Sequence, residues 1–187
     1  MIVIANSSPL HYLVLIDCID LLPSLFGQVL IPQAVFRELQ NPHTPPKGRD
    51  VARETAGVAD NSSPIGTRRG QGLDRLGDGE REAILLATAR GTGVLLLIDE
   101  VKGRRVASRR KIRIIGTLGL LELAASRKLL DLPAAVDRLK HTTFYVVPEL
   151  LRNCSTCRWN DTLDAPSLHS CRWSASAESG SKDRPPS

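Results

Sequence analysis

The stretch Gly79–Arg113, GEREAILLATARGTGVLLLIDEVKGRRVASRRKIR, decides the fold. It opens with two acids, Glu80 and Glu82, and continues as a helix pattern with Ala83, Ile84, Leu86 and Ala87 on the buried side. Gly91 and Gly93 break that helix. Val94 to Ile98 is a short, wholly apolar run, the pattern of a parallel strand buried on both faces. The run stops at Asp99-Glu100. In open parallel α/β sheets, chemistry gathers at the carboxyl ends of the strands. Seven basic residues and no acids then follow between Val101 and Arg113. Acids fit to hold a metal beside bases fit to hold phosphate point to phosphodiester chemistry on nucleic acid.

Working outward, the 187 residues suffice for one domain and a tail, and a hydrophobic share of 42% allows a sizeable core. A net charge of +5 favours a polyanionic partner. No apolar run approaches the ~20 residues of a membrane span, and the start, MIVIANSSPL, reads as a strand rather than a signal peptide. Of the four cysteines, only Cys18 lies in the apolar body, so no disulfide framework supports it and a reducing cytoplasm is the expected compartment.

Upstream, Ile2-Val3-Ile4 is a strand that ends just before Asn6, and Ser8 is the expected helix N-cap with Pro9 at the first helical position. A second short helix runs from Asp20 to Gly27, Val29 to Ile31 is another buried strand, and a helix from Pro32 to Leu39 carries Glu38 near its end. Residues 41–79 are expected to be irregular, with a short helix at Arg49–Thr55 and a mobile basic loop after it. Downstream, Ile112 to Ile115 is a fourth strand, followed by helices from Gly116 to Arg127 and from Leu132 to Leu139. Phe144 to Val147 fits an edge strand, and Pro148 a last short helix. The pattern predicts a parallel sheet flanked by helices. Residues 1–152 form the expected domain; residues 153–187, with eight serines and no periodicity, are expected to be a disordered tail.

The succession VIANSSPLHYL, VLIPQAVFREL, GEREAILLA, LLLIDEVKGRRVA and IIGTLGLLELA resembles the PIN domain, and more narrowly its prokaryotic branch of small VapC-like proteins. The resemblance spans roughly Met1 to Leu151. It implies a three-layer α/β/α sandwich with a central parallel sheet and four acidic positions around one or two Mg²⁺ or Mn²⁺ ions. It also implies endoribonuclease activity, often as the toxin of a toxin–antitoxin pair, with RNA, a small antitoxin protein and a second copy of the chain as partners. Residue by residue, the acidic positions fall on Asn6, Glu38, Glu82 and Asp99, with Glu100 beside Asp99 as an alternative. Asn6 stands where an aspartate is the family's rule; its amide oxygen can coordinate a hard cation but brings no charge. Glu80, two residues before Glu82 on a helix, is expected to point elsewhere and serve behind the ligands.

These residue types suit the chemistry. Phosphodiester hydrolysis needs a deprotonated water and neutralised phosphate oxygens, and a carboxylate-held ion supplies both. Lys102, Arg104, Arg105, Arg109 and Arg110 are the candidate phosphate contacts. The four histidines, His11, His43, His141 and His169, are scattered, which leaves a metal-activated water as the expected base. Each feature also has a plainer reading: solvated acids on helix surfaces, Asp99 as a helix cap, and a solvated basic face. Cys154-x-x-Cys157 with His169 and Cys171 is a weak imitation of a zinc set. Two other classes compete with the nuclease. A PIN-like module that binds RNA or an antitoxin without cleaving is favoured by Asn6. A phosphoacceptor receiver domain is disfavoured, because it would want an acidic pair at the first strand.

Overall fold

The computed structural model describes residues 1–40, 56–58 and 72–144. The helix expected at Arg49–Thr55, the loop after residue 59, the elements expected from residue 145 onward, the Cys154 group and the serine-rich tail lie outside the described residues.

The strands are β1 (Ile2–Ala5), β2 (Val29–Ile31), β3 (Ala56–Val58), β4 (Val94–Leu97) and β5 (Arg113–Ile115), and all but β3 are rich in β-branched residues or leucine. They make one sheet in the order β3-β2-β1-β4-β5, and every pairing is parallel. β3 corrects an expectation, because it lies within the segment read as irregular. Ala56-Gly57-Val58 pairs with β2 through Val29, Leu30 and Ile31. Three residues with a central glycine carry no strand signal of their own, and their pairing is set by the neighbouring strand.

The helices are α1 (Ser7–Leu15), α2 (Leu21–Phe26), α3 (Gln33–Leu39), α4 (Asp78–Arg90), α5 (Val101–Arg109), α6 (Thr117–Ser126) and α7 (Leu132–Lys140), with a 3₁₀ turn at Leu73–Arg75. Side chains alternate along each strand, so each strand serves both layers. Val3, Ala5, Val29, Ile31, Leu95 and Leu97 face the layer made by α1, α2, α3, α6 and α7. Ile4, Leu30, Leu96 and Ile98 face Ala83, Ile84 and Ala87 of α4 and Val106 and Ala107 of α5. The result is the expected three-layer α/β/α sandwich. Gly91 and Gly93, at φ +72° and +85°, turn the chain from α4 into β4 through conformations that side chains resist. Among the described residues, no helix is long and apolar enough to cross a membrane.

Candidate functional site

In a sheet ordered β3-β2-β1-β4-β5, the connections leave β1 in opposite directions, and the switch falls between β1 and β4. The crevice at the carboxyl ends of two such strands is where α/β sheets bind ligands. Asn6 and Asp99 emerge there. Ala5 pairs with Leu97, and the Asn6 N–H continues the ladder by donating to the Leu97 carbonyl at 3.0 Å.

Asn6, not Ser8, is the N-cap of α1, in an extended conformation with φ −84° and ψ 164°. An N-cap asparagine ordinarily accepts a hydrogen bond from the second or third helical N–H. Here the third helical residue is Pro9, which has no N–H, and the Asn6 side chain makes no cap bond. Asn6 is 2% exposed, and its Oδ1 has no hydrogen-bond partner. An unpartnered buried acceptor costs about 1–3 kcal/mol, which makes Asn6 Oδ1 a candidate ligand-facing oxygen.

Asp99 is held firmly. The Thr117 N–H donates to its Oδ1 at 2.8 Å, and the Thr117 hydroxyl donates to its Oδ2 at 2.6 Å. Asp99 therefore caps α6 from a distance; the N-cap of α5 is Glu100. Arg104 turns inward, donating from Nη1 to the Ile98 carbonyl at 3.0 Å. A Cβ on Gly116 would stand 2.7 Å from Arg104 Nη1 and 2.9 Å from Asp99 Oδ1, so the glycine leaves room for both. Burial raises the pKa of Asp99 above the usual carboxylate range; the two Thr117 hydrogen bonds and the Arg104 charge oppose the rise, and the Glu100 charge adds to it.

Glu38 and Glu80 meet at the start of α4. A Cβ on Gly79 would come within 2.9 Å and 3.1 Å of the two Glu38 oxygens, which places that carboxylate over the helix's positive end. Glu80 Oε2 accepts the Gly77 N–H at 3.1 Å, the one half of a capping box that a glycine N-cap permits. Its Oε1 is buried without a partner and presses toward Gly103 of α5. Burial raises the pKa of Glu80, the Gly77 N–H opposes the rise, and the negative charges of Glu100 and Glu38 add to it. Glu100 thus acts on both Glu80 and Asp99, and ties the two halves of the crevice together electrostatically.

Glu80 and Glu82 meet different neighbours, as their i, i+2 spacing requires. Glu82 faces α3: its Oε2 accepts the Ala34 N–H at 2.7 Å, and its Oε1 lies 3.7 Å from Arg37. Glu80 shares the surroundings of Glu38 and Glu100. The i, i+2 spacing does separate the two acids, but it does not say which side of the helix meets the site.

The basic helix also divides. Lys102, Arg105 and Arg109 are exposed, and their spacing puts them on one side of α5. Arg104 and Arg110 are half-buried, and Arg104 serves the Asp99 end of the crevice. His11 is less isolated than its sequence position suggests. With Ser7, Ser8, Tyr12, Glu38 and Leu39 it lines a groove of about 320 Å³ between α1 and α3.

Among the described residues, no three His, Cys, Asp or Glu side chains form a group that would hold an ion unaided. Mg²⁺ takes one or two direct carboxylates and keeps several waters. Asn6 Oδ1 and Glu80 Oε1 are both buried and unpartnered, and an amide oxygen and a carboxylate oxygen are both hard donors of the kind such an ion takes. The residues fit such an ion.

Residues 2–156 match the family model DUF3368, a PIN domain. No curated protein and no solved structure matches the chain significantly. With the match spanning the whole of the parallel sheet and both helical layers, the chain belongs to the PIN-domain family, whose members are generally nucleases.

Proposed function

We propose that this chain is a divalent-cation-dependent endoribonuclease that acts as the toxin of a toxin–antitoxin pair, with a small antitoxin protein as inhibitor, a homodimer as its working form and the cytoplasm as its compartment. The observation that carries the metal reading is two buried, unpartnered oxygens: Asn6 Oδ1 at the end of β1, and Glu80 Oε1 on a carboxylate that feels the charges of Glu38 and Glu100. Asn6, Glu38, Glu80 and Asp99 would hold the ion, with the Glu100 charge beside Glu80 and Asp99. A bound Mg²⁺ or Mn²⁺ supplies an activated water and neutralises charge on the phosphate. Thr117 fixes the Asp99 carboxylate, and Arg104 braces the backbone beside it at Ile98. Lys102, Arg105 and Arg109 hold backbone phosphates as the strand leaves the crevice.

One observation favours a second reading. Asn6 supplies no charge, which suits a PIN domain that binds RNA without cutting it. Incubation of purified protein with mixed RNA, with and without Mg²⁺ or Mn²⁺, separates the two. Cleavage that needs the ion and vanishes in Glu80→Ala and Asp99→Ala supports the nuclease. RNA retained intact at every ion concentration overturns it in favour of the binding module.

A further inference from the structure

α3 begins after Pro32, a residue with no side-chain acceptor for the first free N–H groups of the helix. The acceptor comes from another helix. Glu82, in α4, takes the Ala34 N–H at 2.7 Å on Oε2, while its Oε1 stands 3.7 Å from Arg37. One carboxylate thus grips α3 at its second and fifth residues. Glu38 is the next residue after Arg37, and its oxygens lie over Gly79 in the first turn of α4. The same two helices therefore touch at both ends of α3: Glu82 on its start, Glu38 from its end.

We infer that Glu82 is a positioning residue and not an ion ligand: it clamps α3 onto α4 so that Glu38 reaches the crevice. The inference rests on the proposed metal site and assigns this second acid of the GERE segment a different task from the first. The N–H bond carries the clamp. The Arg37 side chain is 67% exposed, and ion pairs of that kind contribute little. A glutamine at 82 keeps an oxygen that accepts the Ala34 N–H and loses only the charge; an alanine loses both.

Two measurements test this on the full chain: amide hydrogen exchange at Ala34 without metal, and the rise in melting temperature on adding Mn²⁺. Both are compared for wild type, Glu82→Gln, Glu82→Ala and Glu80→Gln. Loss of the cap in Glu82→Ala should speed Ala34 exchange roughly fivefold, the effect of losing an N-cap acceptor. Glu82→Gln should leave it near the wild-type rate. The Mn²⁺ shift should survive in Glu82→Gln, shrink in Glu82→Ala and disappear in Glu80→Gln. A Glu82→Gln protein that loses the shift as fully as Glu80→Gln overturns the inference, because charge at 82 would then matter as a ligand's does. So does Ala34 exchange indifferent to Glu82→Ala. If Glu82→Ala does not fold, the two glutamine variants still decide. If wild type itself takes up no Mn²⁺, the metal reading falls separately, and Ala34 exchange alone decides whether Glu82 holds α3.

Discussion

Thr117 satisfies both oxygens of Asp99, one with its backbone N–H at 2.8 Å and one with its hydroxyl at 2.6 Å. Thr117 is fully buried, so no water stands ready to replace either bond. Thr117→Val keeps the shape and the N–H but strands Oδ2. Stability should fall by about 1–3 kcal/mol, the cost of an orphaned buried acceptor. Thr117→Ser should recover most of it. Chemical denaturation of the three proteins measures this; a valine variant as stable as wild type would mean that Asp99 finds another donor.

Asn6→Asp should have opposite effects without and with an ion. A charge at this 2%-exposed position has no protein partner, so the metal-free protein should lose a few kcal/mol of stability or less once the new carboxyl takes up a proton, and melt lower. With Mn²⁺ present the added charge tightens binding, and the melting temperature should rise more steeply with ion concentration than in wild type. Melting curves against Mn²⁺ for wild type, Asn6→Asp and Asp99→Ala make the comparison. Parallel responses in all three would remove Asn6 and Asp99 from the ion site.

The metal-free protein should gain stability on mild acidification. Burial is the first cause of the raised pKa in both Glu80 and Asp99. A carboxyl whose folded pKa exceeds its unfolded one stabilises the fold in its protonated form. That contribution is complete below the unfolded value and is lost as pH rises through the folded value. Melting temperature measured downward from neutral pH should therefore rise across that window, less so in Glu80→Gln. The Mn²⁺-induced shift should shrink over the same window, because protons and the ion compete for the same oxygens.

RNA affinity should depend on salt through three residues of the basic helix rather than through all of it. Lys102, Arg105 and Arg109 are exposed along one side of α5, whereas Arg104 is turned to the Ile98 carbonyl. Neutralising the three together should reduce the slope of log affinity against log salt by about 2, at about 0.7 per phosphate contact on a single strand. Arg104→Gln should leave that slope nearly unchanged. Filter binding across a salt series reads both, and a slope that follows Arg104 instead would reverse the division.

Much of this architecture was legible because parallel strands buried on both faces read as plain apolar runs. Val94 to Leu97 and Val29 to Ile31 announce themselves in that way, and the glycines and prolines around them mark the turns. Ala56–Val58 does not, since its place is fixed by partners in β2 and by nothing in its own composition. At the site, the sequence puts Asn6 and Asp99 at strand ends, but helical spacing alone could not choose between Glu80 and Glu82. That choice depends on which helices flank α4: Glu80 meets α5 at Gly103, and Glu82 meets α3 at Ala34. The signals for Thr117 and Gly116 were present as the turn after β5, yet their role needs Asp99 beside them in space. Ser8 was misread as the cap because Pro9 suits the first helical position; here it occupies the third.

That displaced proline has a consequence for any effort to stabilise the protein. Replacing Pro9 with a residue that carries an N–H would hand α1 a donor at its third position, the position from which an N-cap asparagine such as Asn6 ordinarily accepts. The helix would gain an ordinary cap, on the order of 1 kcal/mol, and the crevice would lose an oxygen. Position 9 is thus a point where a thermostability screen and an activity screen should select opposite residues, a trade-off between folding and function confined to one hydrogen atom.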